Sequence, residues 1–225
     1  MKPTLDEHIQ RDPRILRVYL EARHRYAESV LFHHNFTHVM RDLHRALLIA
    51  AEQGSVDYEI LIPSVLLHDI GFCTPDFKKL GHDVAGARLA AEILKDLDYT
   101  EDECAAVGHC INAHKGKAEL PRTIEAQILY DADVLEKAGL VFLIWGGKVI
   151  SEFNESTDHF LKREIADRGA ELARGFYTRK ARELDGGRLK KVRAMFLQVQ
   201  KEIIEERPDY KITEDDLWQN APPEI

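Results

Sequence analysis

The sequence predicts an all-α fold. Apolar residues recur with the three-to-four spacing of a helix along nearly the whole chain, no segment shows the alternation of a half-buried strand, and helix-start and helix-stop residues punctuate the periodic runs. Ile15, Val18, Tyr19, Ala22 and Tyr26 form the first such face, opened by Pro13, whose fixed φ suits a first turn. A second helix is expected from about Phe36 to Gln53, with Val39, Leu43, Ala46, Leu47 and Ala50 on its apolar face and Gly54 as the stop. The third, about Glu59 to His68, is apolar almost all round, so it reads as a central buried helix. Pro63 would fit its first turn and would move the start nearer to Ile62. Gly71 and Pro75 end it.

Asp83 to Leu94 is Ala-rich and helical. Thr100-Glu101-Asp102-Glu103 reads as a capping box opening a helix to about His114. Further helices are expected over about Thr123 to Leu135, Val141 to Phe153, Thr157 to Phe176 and Arg188 to Glu206. Asp185-Gly186-Gly187 is a turn and not a domain linker, and there is no internal repeat. The expected organisation is one helical bundle over 1–225, with a core at about 30–155 and a C-terminal helical extension at about 156–207.

Composition narrows the function. The 225 residues include 31 basic and 39 acidic ones, a net charge of -8, which argues against a general nucleic-acid binder. Three cysteines without a CxxC pair speak against a disulfide scaffold or a thiolate zinc site, and fit reduced thiols in a cytoplasmic protein. The longest apolar stretch, Ala138 to Ile150, is broken by Gly146, Gly147 and Lys148, so no membrane span is expected. The telling number is 11 histidines, because imidazole is the commonest ligand for transition metals.

Their placement singles out Leu66-Leu67-His68-Asp69-Ile70-Gly71, where a His-Asp pair ends a strongly apolar helix. A buried charge is costly unless it is paired or bound to a cation. His38 lies upstream, in Asn35-Phe36-Thr37-His38-Val39, and Asp133 downstream, in Tyr130-Asp131-Ala132-Asp133-Val134. Residues on three helices could converge on one ion, and a nitrogen-oxygen donor set without thiolate suits Mn, Fe, Co, Ni or Zn, and Mg less well.

The order His38, His68-Asp69, Asp133 resembles the HD-domain superfamily of metal-dependent phosphohydrolases, over about Asn35 to Glu136. The segment Gly175 to Arg182 also resembles the C-terminal helices of small bacterial members. Gly81-His82-Asp83-Val84-Ala85-Gly86-Ala87 and Cys110-Ile111-Asn112-Ala113-His114-Lys115-Gly116 resemble segments of members that bind more than one metal. The resemblance implies that His38, His68, Asp69 and Asp133 hold one ion. It also implies that His82 and His114 hold a second, that Asp69 bridges the two, and that Asp69 and His68 are the catalytic pair. Two such ions would make a hydroxide nucleophile available near neutral pH and offset phosphoryl charge. Many relatives carry Lys soon after HD-x-Gly; here Phe72 and Cys73 follow Gly71, so a phosphate-binding cation must come from elsewhere. Lys115, Lys117 and Arg41 are the candidates.

The expected activity is hydrolysis of a phosphoester or phosphoanhydride in a nucleotide or other small phosphorylated metabolite. A cyclic- or bis-nucleotide phosphodiesterase, a non-catalytic metal-binding regulatory module and a di-iron oxygenase remain alternatives. The expected partner is a small substrate and no nucleic-acid polymer. The basic run Arg188, Lys190, Lys191 and Arg193 reads as a solvated helix face or as a subunit contact in a homodimer. His34 is assigned a substrate-facing or supporting role, His109 a structural or outer role, and Asp131 either support of a ligand histidine or helix capping. His8, His24, His33, His44 and His159 have no neighbours that suggest chemistry.

Overall fold

The computed structural model describes residues 4–29, 34–117 and 119–206; His33 and the proline-containing tail lie outside them. Among the described residues the chain is helical and contains no strand. Its helices are α1 (Leu5–Arg11), α2 (Pro13–Glu28), α3 (Phe36–Ala50), α4 (Tyr58–Leu67), α5 (Phe77–Leu80), α6 (His82–Asp96), α7 (Glu101–Ala113), α8 (Ile124–Lys137), α9 (Val141–Phe153), α10 (Thr157–Arg174), α11 (Arg179–Asp185) and α12 (Arg188–Glu206), with a 3₁₀ turn at Ile70–Cys73. None of them is long and apolar enough to cross a membrane.

The chain divides into two compact units, 1–136 with 177–184, and 137–176 with 185–225. This partition differs from the boundaries read from the sequence. The helix of the third apolar segment, α4, is the hub of the first unit. All its residues from Ile60 to Leu67 are buried, and α2, α3 and α7 pack around it. Pro63 does not set its start. Asp57 caps the helix through Glu59 N, and Pro63 sits inside it. The carbonyl deprived of a donor by Pro63 belongs to exposed Glu59 in the first turn, where water can replace the missing bond. The expected capping box at α7 is present: Thr100 Oγ1 accepts from Glu103 N, and Thr100 N donates to Glu103 Oε2 at 2.7 Å. A second box, Thr4 with Glu7, starts α1, a helix the periodicity did not disclose.

In the second unit, Phe142, Val149, Phe160, Leu161, Val192 and Phe196 from α9, α10 and α12 form a separate apolar core. Arg168 is buried there between Glu164 and Glu171, each with a contact of 2.8 Å. None of the residues expected to carry chemistry lies in this unit.

Candidate metal centre

Four backbone features gather the polar residues. Asn35 caps α3 through the amides of Thr37 and His38, which starts the helix so that His38 faces inward. The buried helix α4 delivers His68 as its C-cap. Asp69 follows, just before the 3₁₀ turn. That turn packs on α6 at Gly71, where a Cβ would stand 2.0 Å from the carbonyl oxygen of His82 and 2.6 Å from Gly86 N. Only glycine permits this approach, and the approach sets Asp69 beside His82, the first residue of α6. Finally α7, packed on α6, ends at its C-cap His114.

Asp69 is the centre of the arrangement. Its Oδ2 lies 3.2 Å from His38 Nε2 and 3.4 Å from His68 Nε2. Its Oδ1 lies 3.3 Å from His82 Nε2 and 3.7 Å from His114 Nε2. The two oxygens of one carboxylate thus face two pairs of imidazoles. Donor atoms of His38, Asp42, His68 and Asp133 lie within 4.8 Å of one another, and those of Asp69, His82 and His114 do the same. His82 Nε2 and His114 Nε2 are 3.3 Å apart.

The rings are aimed by their far nitrogens. His68 Nδ1 donates to Val65 O at 2.8 Å and His114 Nδ1 to Ile111 O at 2.6 Å, which leaves each Nε2 lone pair pointing at the cluster. His68 Nε2 and Asp42 Oδ2 are buried and make no hydrogen bond. Buried lone pairs converging without donors are what a cation would satisfy, so the residues fit a divalent metal.

Charge is distributed unevenly. Burial alone would raise the Asp69 carboxyl, but His68, His38 and His82 outweigh it and hold it well below the usual carboxylate range. Burial likewise works against charge on His38, yet Asp42, Asp69 and Glu136 prevail and raise it well above an ordinary histidine; His68 is raised too, chiefly by Asp69 against burial. On the other side burial wins. It pushes His82 well below the ordinary value, with Lys115 and His114 adding to it against Asp69, and brings His114 to about 4.

Two buried carboxylates escaped sequence reasoning. Asp42 stands one turn after His38 and is held by Arg45 at 2.9 Å. Glu136 accepts from Arg41 Nε at 2.7 Å, pairs with Arg45 and lies 3.6 Å from His38 Nδ1. The H-x-x-x-D spacing on α3 was the available clue to Asp42. For Glu136 there was none beyond its place three residues after Asp133.

The cations and remaining histidines fall as follows. Arg41 is turned onto Glu136, where it steadies His38's neighbour. Lys115 is close enough to His82 to depress its pKa, and Lys117 is exposed. The His34 ring lies 5.9 Å from that of His38 and 4.4 Å from Phe72, which in turn stacks on His82 at 4.0 Å. His109 is engaged by Glu119 and by Arg122 N, outside the cluster. Asp131 accepts from Tyr177 N, Thr178 N and Thr178 Oγ1; of its two expected roles, it anchors the segment leading into α11.

The HD domain family model matches residues 35–138. This segment is an HD domain. The match brackets every residue of the cluster, from His38 to Glu136. A crystal structure of a predicted HD superfamily hydrolase from an uncultured Thermotogales bacterium superposes with a TM-score of 0.55 over 89% of this chain and 99% of that one, at 23% identity; this likeness speaks for the HD fold. Among curated proteins, ribonuclease Y of Acidothermus cellulolyticus is 36% identical over 118 residues, covering 52% of this chain and 21% of that protein. The 3'-5' exoribonuclease YhaM of Bacillus subtilis is 28% identical over 166 residues, covering 60% and 53%. YhaM of Listeria monocytogenes is 26% identical over 143 residues, covering 54% and 46%. The chain therefore spans at most about half the length of these relatives.

The hydrolase class and the HD domain expected from the sequence agree with these matches. The expectation that no nucleic-acid polymer is a partner does not survive them, because the matched relatives are named as ribonucleases. The physical error lay in reading a whole-chain charge of -8 as a local property. A polymer gripped near one bond needs positive potential only there, and metal ions can supply it.

Proposed function

We propose that this HD domain hydrolyses a phosphodiester bond of RNA with the help of two divalent metal ions. The observation that carries the reading is the Asp69 carboxylate, with one oxygen toward His38 and His68 and the other toward His82 and His114. The names of the ribonuclease relatives supply the substrate class. In this reading His38, His68, Asp69 and Asp133 hold one ion, His82, His114 and Asp69 the other, and the donor set suits Mn, Fe, Co, Ni or Zn. Bound ions would supply an activated water and offset the charge on the phosphoryl oxygens.

The chain's own residues prepare for this. Asp69 stays ionised because its histidine neighbours outweigh burial, so a bridging anion is available at any working pH. The carbonyls of Val65 and Ile111 hold the rings of His68 and His114 in one tautomer, which removes reorientation from the binding step. His82 is the least covered of the cluster, its side chain 14% exposed, so substrate reaches the centre from the α6 side. Lys115, whose charge is felt by His82, is the first candidate for a phosphate contact, with Lys117 and His34 as further candidates, and Asp69 and His68 are taken as the catalytic pair.

The test is incubation of the metal-loaded protein with a labelled single-stranded RNA oligomer and, separately, with nucleoside monophosphates. Shortened RNA that disappears with chelator is the expected result. Intact RNA together with phosphate released from the monophosphates would replace this reading with a phosphomonoesterase.

A further inference from the structure

We propose that Asp42 is a metal ligand on the His38 side of the centre, which gives that side five protein donors against three on the His82 side. The inference rests on the two-ion reading above and adds a residue to it that the His, His-Asp, Asp order does not contain. Asp42 lies one helical turn beyond His38, so both side chains leave α3 on one face. It is fully buried. Its Oδ1 is occupied by Arg45 at 2.9 Å. Its Oδ2 makes no hydrogen bond and lies 3.3 Å from His38 Nε2 and 3.8 Å from His68 Nε2.

This geometry is a poor end state for a carboxylate that only supports its neighbours. The Nδ1 of His68 donates to Val65 O, so Nε2 carries the lone pair in the neutral ring. A lone pair facing a buried carboxylate oxygen is repulsive unless a proton or a metal cation lies between them. Arg45 fixes the far oxygen, so the near one cannot rotate away to solvent. The same Arg45 and Arg41 pair with Glu136, which keeps the layer behind the ligands neutralised.

The consequence is an asymmetric centre. His38, Asp42, His68, Asp69 and Asp133 converge on one side, three of them carboxylates; Asp69, His82 and His114 converge on the other. A five-donor, carboxylate-rich side retains its ion tightly and leaves little room for anything else. The three-donor side, at the least covered histidine, is where a phosphoryl oxygen can join.

Two measurements decide. In crystals of the wild-type chain soaked in Mn(II), anomalous scattering should place an ion between His38 and His68 with Asp42 Oδ2 within about 2.4 Å of it. An ion there with Asp42 more than about 3 Å away overturns the assignment while leaving the two-ion reading intact. No ion on either side of Asp69 defeats both. In solution, Mn(II) titration followed by the resonance of the free ion should show that Asp42→Asn weakens the tighter class of sites by on the order of 100-fold, and that Arg45→Gln weakens it less. A tighter class unchanged in Asp42→Asn, or weakened more by Arg45→Gln, contradicts direct ligation.

Discussion

The two sides of Asp69 are built from similar residue types and behave differently. Toward Oδ2, His38 and His68 sit among Asp42, Asp133 and Glu136, and their imidazoles are raised in pKa. Toward Oδ1, Asp69 acts on both His82 and His114, Asp133 reaches His114 and Lys115 opposes charge on His82, and burial outweighs the carboxylates and lowers both rings. The same side chain is thus a charged partner on one side and a ready lone-pair donor on the other. The difference comes from how many carboxylates share the burial. It teaches that a histidine's fitness for an ion is set by the layer behind it as much as by its own position.

Asp69 is the hinge between the two sides. Asp69→Ala removes the one carboxylate that faces both sides. We expect hydrolysis to fall by about 10³-fold or more, with ions lost from both sides, measured by turnover together with metal content. Turnover near wild type would separate Asp69 from the chemistry altogether.

Gly71→Ala acts on one side only. The new Cβ would meet the His82 carbonyl at 2.0 Å, and the neighbour it strikes is backbone. The 3₁₀ turn must then move off α6, at a cost of about 3 kcal/mol. A thermal melt should show the loss, and metal analysis should show the ion on the His82 side released before the other. A variant that melted like wild type would mean that the contact at Gly71 does not set the spacing of Asp69 and His82.

The candidate ligands His38, His68, Asp69, His82, His114 and Asp133 were legible through their resemblance to HD-domain motifs, and the fold brings their donor atoms into two adjoining groups. Asp42 carried only the H-x-x-x-D spacing as a clue, and an Asp and an Arg three residues apart on a helix look like an ordinary surface pair. Nothing in the chain shows that Glu136 is buried until Arg41 and Arg45 are seen to turn inward. Arg41, which the sequence offers as a phosphate contact, is engaged by Glu136 while its side chain stays 33% exposed. Among the helices, α4 was foreseen, but its internal Pro63 was not, since the exposure of Glu59 is a tertiary fact. The helices α1, α5 and α11 are too short for periodicity to reveal.

Proton release also separates the two sides. The raised pKa values of His38 and His68 stabilise the chain without ions below about 6.5, and that contribution is lost as pH rises through their folded values. An ion on their side must displace those protons, so binding there strengthens with pH. His82 and His114 are already neutral at pH 6, so their side releases none. The gain in melting temperature on adding Mn(II) should therefore widen from pH 6 to pH 8, by the same increment in His82→Ala as in wild type. A gain independent of pH, or a pH dependence abolished in His82→Ala, would assign the titration to the wrong side.

If the Asp69 carboxylate serves two ions, their number per chain shows it. Elemental analysis of the wild-type chain, loaded with Mn(II) and freed of excess, should give two ions per chain, and His82→Ala and His114→Ala should each give one with the fold intact by circular dichroism. A ratio of one in all three proteins would contradict the account and leave His82 and His114 as neighbours of a single-ion centre.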